Sequence, residues 1–418
     1  MKTLAETIAY PQMTLIRQKL GREKLEDIGG EVKRQMISLG MVQRLSGGAR
    51  IAITAGSRGI SNIAEIIRAA ADCVKEWGGQ PFIVPAMGSH GGATAEGQLE
   101  VLEHYGITEA AMGCPICSGM EVVELGQTEE GVPVYFDRIA YEADGIIVIN
   151  RIKPHTDFIA DNESGIVKMV AIGLGNEKGC SALHAHGLAA AIPQVCRVAL
   201  EKAPILGGLA IVENSRDETW KLQGIKPEDF LKEDARLLVL ARQQVPHLPM
   251  EGLDLLIVKE IGKMFSGTGM DTKVIGRIRV NGVPEPQKPW VEKLIVLRLN
   301  PLSYGNALGI GLADITTKEL VEAIDYDSMK ANLIATTYLE RGKLPVWFDT
   351  EKEAVDAGFK TLGNLCCREA KVAIIENTLH LEKMWVSESL LEELKGVEML
   401  ARGKELSFDR QGKLAKDF

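Results

Sequence analysis

From residue 49 onward the chain alternates short β-branched runs with amphipathic helical stretches, and that alternation allows little except βαβ units on a mainly parallel sheet. Residues 49–55 are the first clear strand. Past Gly56-Ser57-Arg58-Gly59, Ser61 is placed to cap a helix whose Ile63, Ile66, Ile67, Ala70, Val74 and Trp77 share one face, and Gly78-Gly79 ends it. Residues 81–86 are the next strand, followed by a glycine-rich loop in which Thr94 can cap a helix with Glu96 in its first turn. Residues 144–150 form another buried strand that runs into Arg151-Ile152-Lys153-Pro154-His155.

Residues 187–203 are helical by pattern and 209–212 extended, after which Val245-Pro246-His247-Leu248-Pro249 is the best linker in the chain. Strands restart at 253–258, 293–299 and 372–375, interleaved with helices such as 317–324. The expected fold is therefore α/β: two α/β domains with mainly parallel sheets and the active site in the cleft between them. Residues 1–248 are assigned to an N-terminal cofactor and catalytic domain. Residues 249–418 are assigned to a smaller domain that closes the cleft, with the last residues free to pack back on the first.

Charge and cysteine usage exclude several classes. With 48 Lys+Arg against 57 Asp+Glu and no basic run, the chain lacks the footprint of a nucleic-acid binder. Lys2, Glu6, Gln12, Arg17 and Lys19 interrupt residues 1–21, so no secretory h-region is read there, and no apolar run approaches the roughly 18 residues of a spanning helix. The expectation is a cytoplasmic protein that does not engage membranes. Seven irregularly spaced cysteines do not form a disulfide framework, and the lone Cys114-Pro115-Ile116-Cys117 pair is read as structural or incidental, a redox or half-metal role staying open.

In open parallel sheets ligands sit outside the carboxyl ends of the strands. Arg58, His90 and His155 each follow an expected strand end, so they should converge on one edge. Arg58, between Gly56 and Gly59, suits bidentate recognition of a carboxylate or phosphate. His90 sits among Gly88, Gly91 and Gly92, in a loop whose amides can approach an anion, and His155 follows Pro154 and precedes Asp157, a residue able to orient an imidazole. Two such histidines make an acid/base pair with pKa values near neutrality. Lys168, in Ser164-Gly165-Ile166-Val167-Lys168, stands in an apolar context that eases loss of its proton, a condition for covalent attachment to a cofactor. His104 and His247 read as structural, and Gly173-Leu174-Gly175-Asn176-Glu177-Lys178-Gly179 falls one residue out of register with a dinucleotide fingerprint.

Gly88-Ser89-His90-Gly91, Lys153-Pro154-His155, Ser164-Gly165-x-x-Lys168 and His184, in that order, resemble the nickel-dependent lactate racemase family. The Lys168 to His184 interval of 16 residues (184 − 168) is that family's interval between its cofactor-tethering lysine and its nickel-ligating histidine. The resemblance implies a nickel-pincer nucleotide, a pyridinium mononucleotide whose two sulfur-containing acid arms grip nickel, bonded to Lys168 and ligated by His184, with His186 as the second-ranked ligand. It further implies cofactor contacts from Ser164, Gly165, Gly88 and Gly91, and transient partnership with cofactor-synthesis enzymes. The implied reaction is racemisation or epimerisation of a small-molecule 2-hydroxy acid: one of His90 and His155 takes the hydroxyl proton while hydride passes reversibly to the cofactor, and Arg58 holds the carboxylate. Lys263 and Lys273, in a glycine-rich loop of the second domain, are expected near the bound acid.

Several features depart from lactate racemases: around Arg58 the stretch Ala55-Gly56-Ser57-Arg58-Gly59 lacks the acidic residue and threonine usual before that family's arginine and the proline usual after it. The interval from His155 to Lys168 is longer, at 13 residues (168 − 155), and Ile166 stands where a second glycine is usual. The acidic loop 156–163, with Asp157, Asp161, Asn162 and Glu163, then suggests a substrate larger or more polar than lactate. Two alternatives stay beside this reading, a nicotinamide-dependent oxidoreductase and a non-catalytic pincer-cofactor binding protein, and homo-oligomerisation is left open.

Overall fold

The first strand, β1 (Gln12–Gln18), does not join the strands that follow it. A computed structural model describes residues 8–45, 47–156 and 158–418, which places Lys2, Glu6 and Asp157 outside the described residues. The chain divides into two compact units, Gly21–Val245 and a second in which the segment ending at Leu20 joins Pro246–Phe418. This corrects the assignment of residues 1–248 to one domain.

In the unit Gly21–Val245, strands β2 (Arg50–Ala55), β3 (Gln80–Pro85), β6 (Gly145–Arg151), β7 (Ile205–Glu213) and β8 (Thr219–Ile225) form one sheet in the order β3-β2-β6-β7-β8, while β4 (Val122–Gln127) and β5 (Pro133–Asp137) form a separate hairpin. Every pairing of the sheet is parallel except β7 with β8. The strands read as near-continuous apolar runs because both faces are covered. Ala52, Phe82, Val84, Ile146 and Val148 point into one core, with Val195 and Cys196 of the helix Leu188–Lys202 and Leu237 and Leu238 of the helix Phe230–Gln244. Ile51, Ile53, Ile83, Ile147 and Ile149 point into the other, against Val32 and Met36 of Ile28–Ser38 and Ile66, Ile67, Ala70 and Val74 of Ile63–Glu76.

The second unit is an eight-stranded sheet of β9 (Gly252–Ile261), β10 (Trp290–Leu299), β11 (Ile315–Thr317), β12 (Val346–Phe348), β13 (Val372–Ile375), β14 (Lys383–Ser387) and β15 (Val397–Glu405) together with β1, in the order β12-β11-β10-β9-β13-β14-β1-β15. The run from β12 to β13 is parallel and the remaining pairings are antiparallel. β1 lies between β14 and β15, with Met13 and Ile16 fully buried on opposite faces. The last residues also belong to this unit: Phe418 is buried against Trp385, ring centroids 4.7 Å apart. Among the described residues no helix is long and apolar enough to cross a membrane.

Withdrawing β1 strips backbone partners from two strands and exposes two core side chains, each worth about 1.5–3 kcal/mol of burial. A polypeptide of residues 21–245 should therefore unfold cooperatively by itself, whereas one of residues 246–418 should melt without a cooperative transition until a peptide of residues 8–20 is supplied. Circular dichroism melts of the three samples check this, and a cooperative melt of 246–418 alone would contradict it.

Candidate functional site

From β2 the chain runs outward to β3 and then returns to place β6 on the other side of β2, so the loops after β2 and β6 part in opposite directions. Such a switch point opens a crevice at the carboxyl ends of the strands. Arg58 follows β2, His90 follows β3, Lys153 and His155 follow β6, and Glu213 closes β7.

In the β2 loop, Arg58 is exposed as a residue, yet its guanidinium lies below the ordinary arginine range. Desolvation is the main cause, the Arg151 charge adds to it, and Tyr105 opposes it. An arginine stays charged under such pressure where a lysine would not, which leaves a poorly hydrated cation suited to a carboxylate. Arg151 pairs with Glu213, whose other oxygen accepts the Ser61 N–H at 2.6 Å. The Ser61 amide is thus committed to Glu213, and the cap of the helix Ile63–Glu76 falls on Asn62, with φ 58° and no side-chain capping bond, rather than on Ser61.

The β3 loop is held by close backbone approach. A Cβ on Gly88 (φ +60°) would come within 3.2 Å of Ile172, and one on Gly91 (φ +68°) within 2.6 Å of the Gln98 backbone nitrogen. These two glycines are therefore needed to seat the loop, whatever else they touch. Thr94 caps the helix Ala95–His104 through the Gly97 N–H, with Glu96 in its first turn, as the sequence pattern predicts. The exposed His90 ring lies with Nδ1 2.9 Å from Met87 O. A carbonyl only accepts, so Nδ1 carries the proton and the basic lone pair sits on Nε2.

Residues 152–165 form a loop pinned at its neck by paired backbone bonds between Lys153 and Ser164, 2.7 and 3.1 Å. Glu163, almost wholly buried, turns inward: its Oε2 accepts the His155 N–H at 2.5 Å and its Oε1 the Ala160 N–H at 3.2 Å. Arg242 neutralises it at 2.6 Å and also donates to Ala160 O. The His155 ring stacks on the buried Phe158, centroids 4.4 Å apart. Asp157 lies outside the described residues. Asn162 and Glu163 are buried rather than presented to a ligand, which removes two of the four polar groups behind the expectation of a more polar substrate.

Beyond the loop, Gly165 opens a single turn, Ile166–Lys168, that passes into a π-helical turn, Met169–Gly173, and then the helix Asn176–His186. Asn150 Nδ2 donates to Gly165 O at 2.7 Å and Gly88 N to Gly173 O at 3.1 Å, so this segment is fastened to both β6 and the His90 loop. Lys168 is half-buried among the buried Ile166, Val167, Met169 and Val170. On the helix, Cys180 lies 3.7 Å from Ser89 Oγ, and His184, one turn further, shares that face. His184 and His186 are both exposed, and His186 Nδ1 meets its own helix at Ala182 O, 2.8 Å.

Lys263 and Lys273 belong to the second unit, after β9, where Lys263 Nζ donates to Gly267 O at 2.6 Å and the Lys273 N–H to Asp271 at 2.9 Å. Gly173 ends the π-helical turn and Gly175 follows it, without the preceding strand that a dinucleotide fingerprint needs. Cys114 and Cys117 flank a bridge that adds Ile116 to the edge of β3, and burial raises both thiols above the ordinary range, which disfavours redox nucleophilicity. Among the described residues no three His, Cys, Asp or Glu side chains gather into a metal-holding group.

The unit is an α/β domain in which Arg58, His90 and His155 stand on loops at the carboxyl ends of parallel strands and Lys168 is half-buried beyond them. Residues 58–192 match the family model of the lactate racemase N-terminal domain. The fold is similar to that of the lactate racemase apoprotein from Thermoanaerobacterium thermosaccharolyticum, at 13% identity and a TM-score of 0.50 over 89% of this chain and 94% of that one. No curated protein matches the sequence.

Asp234 was not legible as part of the site. On the helix Phe230–Gln244 it accepts Asn162 Nδ2 and the Val167 N–H, both at 3.2 Å, and burial pushes its carboxyl up to about 6 against these lowering bonds. A carboxyl raised on folding makes the native state less stable as pH climbs from its unfolded value through its folded one. Relative to the parent, Asp234→Asn should gain on the order of 3 kcal/mol in stability between pH 4 and pH 8. Denaturant melts at the two values check this, and a pH-independent difference would contradict it.

Proposed function

We propose that the unit Gly21–Val245 is the catalytic part of a 2-hydroxy acid racemase or epimerase. One observation carries the reading: the strand order β3-β2-β6 sets the Arg58 loop between the His90 loop and the His155 loop. An acid anchored by its carboxylate on Arg58 then has an imidazole-bearing loop on either side. A reaction that must accept both enantiomers needs that arrangement, because the hydroxyl proton is taken on one face and returned on the other.

A nickel-pincer nucleotide, when bound, supplies the reversible hydride acceptor for the hydrogen on the hydroxyl-bearing carbon. The residues present fit such a group. Lys168 is half-buried beside the Gly165 turn, Ser164 and Gly165 open that turn, and Gly88 and Gly91 present no side chain from the loop that Gly173 contacts. His184 is the imidazole this reading assigns to the metal, since its helix face meets the His90 loop through Cys180 and Ser89, while Nδ1 of His186 is engaged by its own helix.

The chain's own groups then divide the work. Arg58 holds the carboxylate and keeps the flattened 2-keto acid from leaving. His90, its Nδ1 proton fixed on Met87 O, works through Nε2, and His155, stacked on Phe158 and held by Glu163 at its backbone, is the second base, on the loop after β6. For the nicotinamide alternative, the glycine run at 173–179 follows a π-helical turn and not a strand, and the binding-protein alternative makes the histidines dispensable.

His90→Ala and His155→Ala should each lower interconversion by about 10²–10⁴-fold while nickel content per chain stays at the parent value. Lys168→Ala should abolish the mass adduct on the peptide spanning residue 168. Circular dichroism of a lactate-type substrate panel and metal analysis, on protein produced with the cofactor-synthesis enzymes, check both. A histidine variant that racemises at the parent rate would refute the two-base assignment.

A further inference from the structure

The residues proposed for chemistry lie between positions 58 and 184, yet two of them are held in place by a helix outside that span, Phe230–Gln244. Phe230, Leu237, Leu238 and Ala241 already dock this helix in the apolar core. Nothing about docking calls for a charge, but Asp234, 1% exposed, points into the same interface. Its Oδ2 accepts the Val167 N–H and its Oδ1 the Asn162 amide. The fit at Gly165 is so close that a Cβ there would stand 2.0 Å from Oδ2. Eight residues on, a little over two turns and so on the same side, Arg242 clamps Glu163, the carboxylate that holds the His155 N–H.

A buried carboxylate costs stability unless its bonds compensate, and here the carboxyl is raised despite three hydrogen bonds that favour its charge. What it does fix is direction. The Val167 N–H belongs to the turn that ends in Lys168, one residue further, so the carboxylate settles how that turn leaves the loop and where the amine is carried.

We propose that Asp234 is a positioning residue for Lys168, and that Arg242, through Glu163, positions His155 in the same way from the same helix. This rests on the reading of Lys168 and His155 given above. The helix is a template that sets the amine and one imidazole relative to each other without touching a ligand.

The test uses the full chain with Asp234→Asn, Asp234→Ala and Arg242→Gln. Amide hydrogen exchange and the rate at which a water-soluble acetylating reagent modifies Lys168, read by peptide mapping against the other lysines, need no cofactor. In Asp234→Ala, exchange at residues 166–168 should rise by about tenfold or more while the β6 and β7 amides keep their protection, and Lys168 acetylation should change by about threefold or more. Asp234→Asn should melt no lower than the parent at pH 8 yet carry a Lys168 adduct at about one third of the parent fraction or less when produced with the cofactor-synthesis enzymes. Arg242→Gln should free the His155 amide and leave Lys168 acetylation unchanged.

Parental exchange at Val167 in both Asp234 variants, or a parental adduct fraction in both, overturns the proposal. Loss of β6 and β7 protection in Asp234→Ala with a fully parental Asp234→Asn assigns Asp234 to general stability and overturns it too. An unmodified parent would instead refute Lys168 as the attachment point, and exchange and acetylation would still decide whether Asp234 positions it.

Discussion

A parallel strand cannot turn directly into its neighbour, and everything proposed for this chain depends on that constraint. Each of β2, β3, β6 and β7 must end at the same edge of the sheet, so the loops that follow them are forced into one neighbourhood. The order β3-β2-β6 then does more than gather residues. It ranks them, with the cation of Arg58 in the middle and the histidine loops outside, before any side chain is considered. The two apolar cores on either face make this order rigid, since a slip of one residue would turn Ile51 and Ile53 out of one core and Ala52 into it.

Topology brings the loops together, but it does not fix their shape. Buried polar groups do that, each joining segments far apart in sequence: Glu213 holds Arg151 and the Ser61 amide, Glu163 holds the His155 and Ala160 amides under Arg242, and Asp234 holds Asn162 and Val167. In a dry interior such bonds are strong when satisfied and costly when broken, so the loops have one arrangement rather than many. The side chains proposed for chemistry are left at the surface or half exposed, as Arg58, His90, His155 and Lys168 are. Rigid support below accessible chemistry is what precise acid/base work requires.

The strand-end positions of Arg58, His90 and His155 were legible because a β-branched run, a glycine and a polar residue are adjacent in sequence. The Thr94 cap was legible for the same reason. β1 was not, since seven residues of mixed character give no period until β14 and β15 supply the partners, and those lie over 360 positions away. The cap at Asn62 was missed because Ser61 looks like a capping residue, whereas its hydroxyl donates to Asn62 Oδ1 and the helix begins one residue later. Glu163 reads as part of an acidic loop that suggests a more polar substrate, and Asp234 belongs to no motif. Their roles are set by Arg242 and Val167, 79 and 67 positions distant. Local chemistry can be read from neighbours, whereas support can be read only from the fold.

The most direct test of the account is a pair of crystal structures of the cofactor-loaded protein with the two enantiomers of a 2-hydroxy acid that it binds. The account predicts both carboxylates on Arg58, with the hydroxyl of one enantiomer within hydrogen-bond reach of His90 Nε2 and that of the other within reach of His155. Both hydroxyls on the same histidine, or a carboxylate seated away from Arg58, would contradict it.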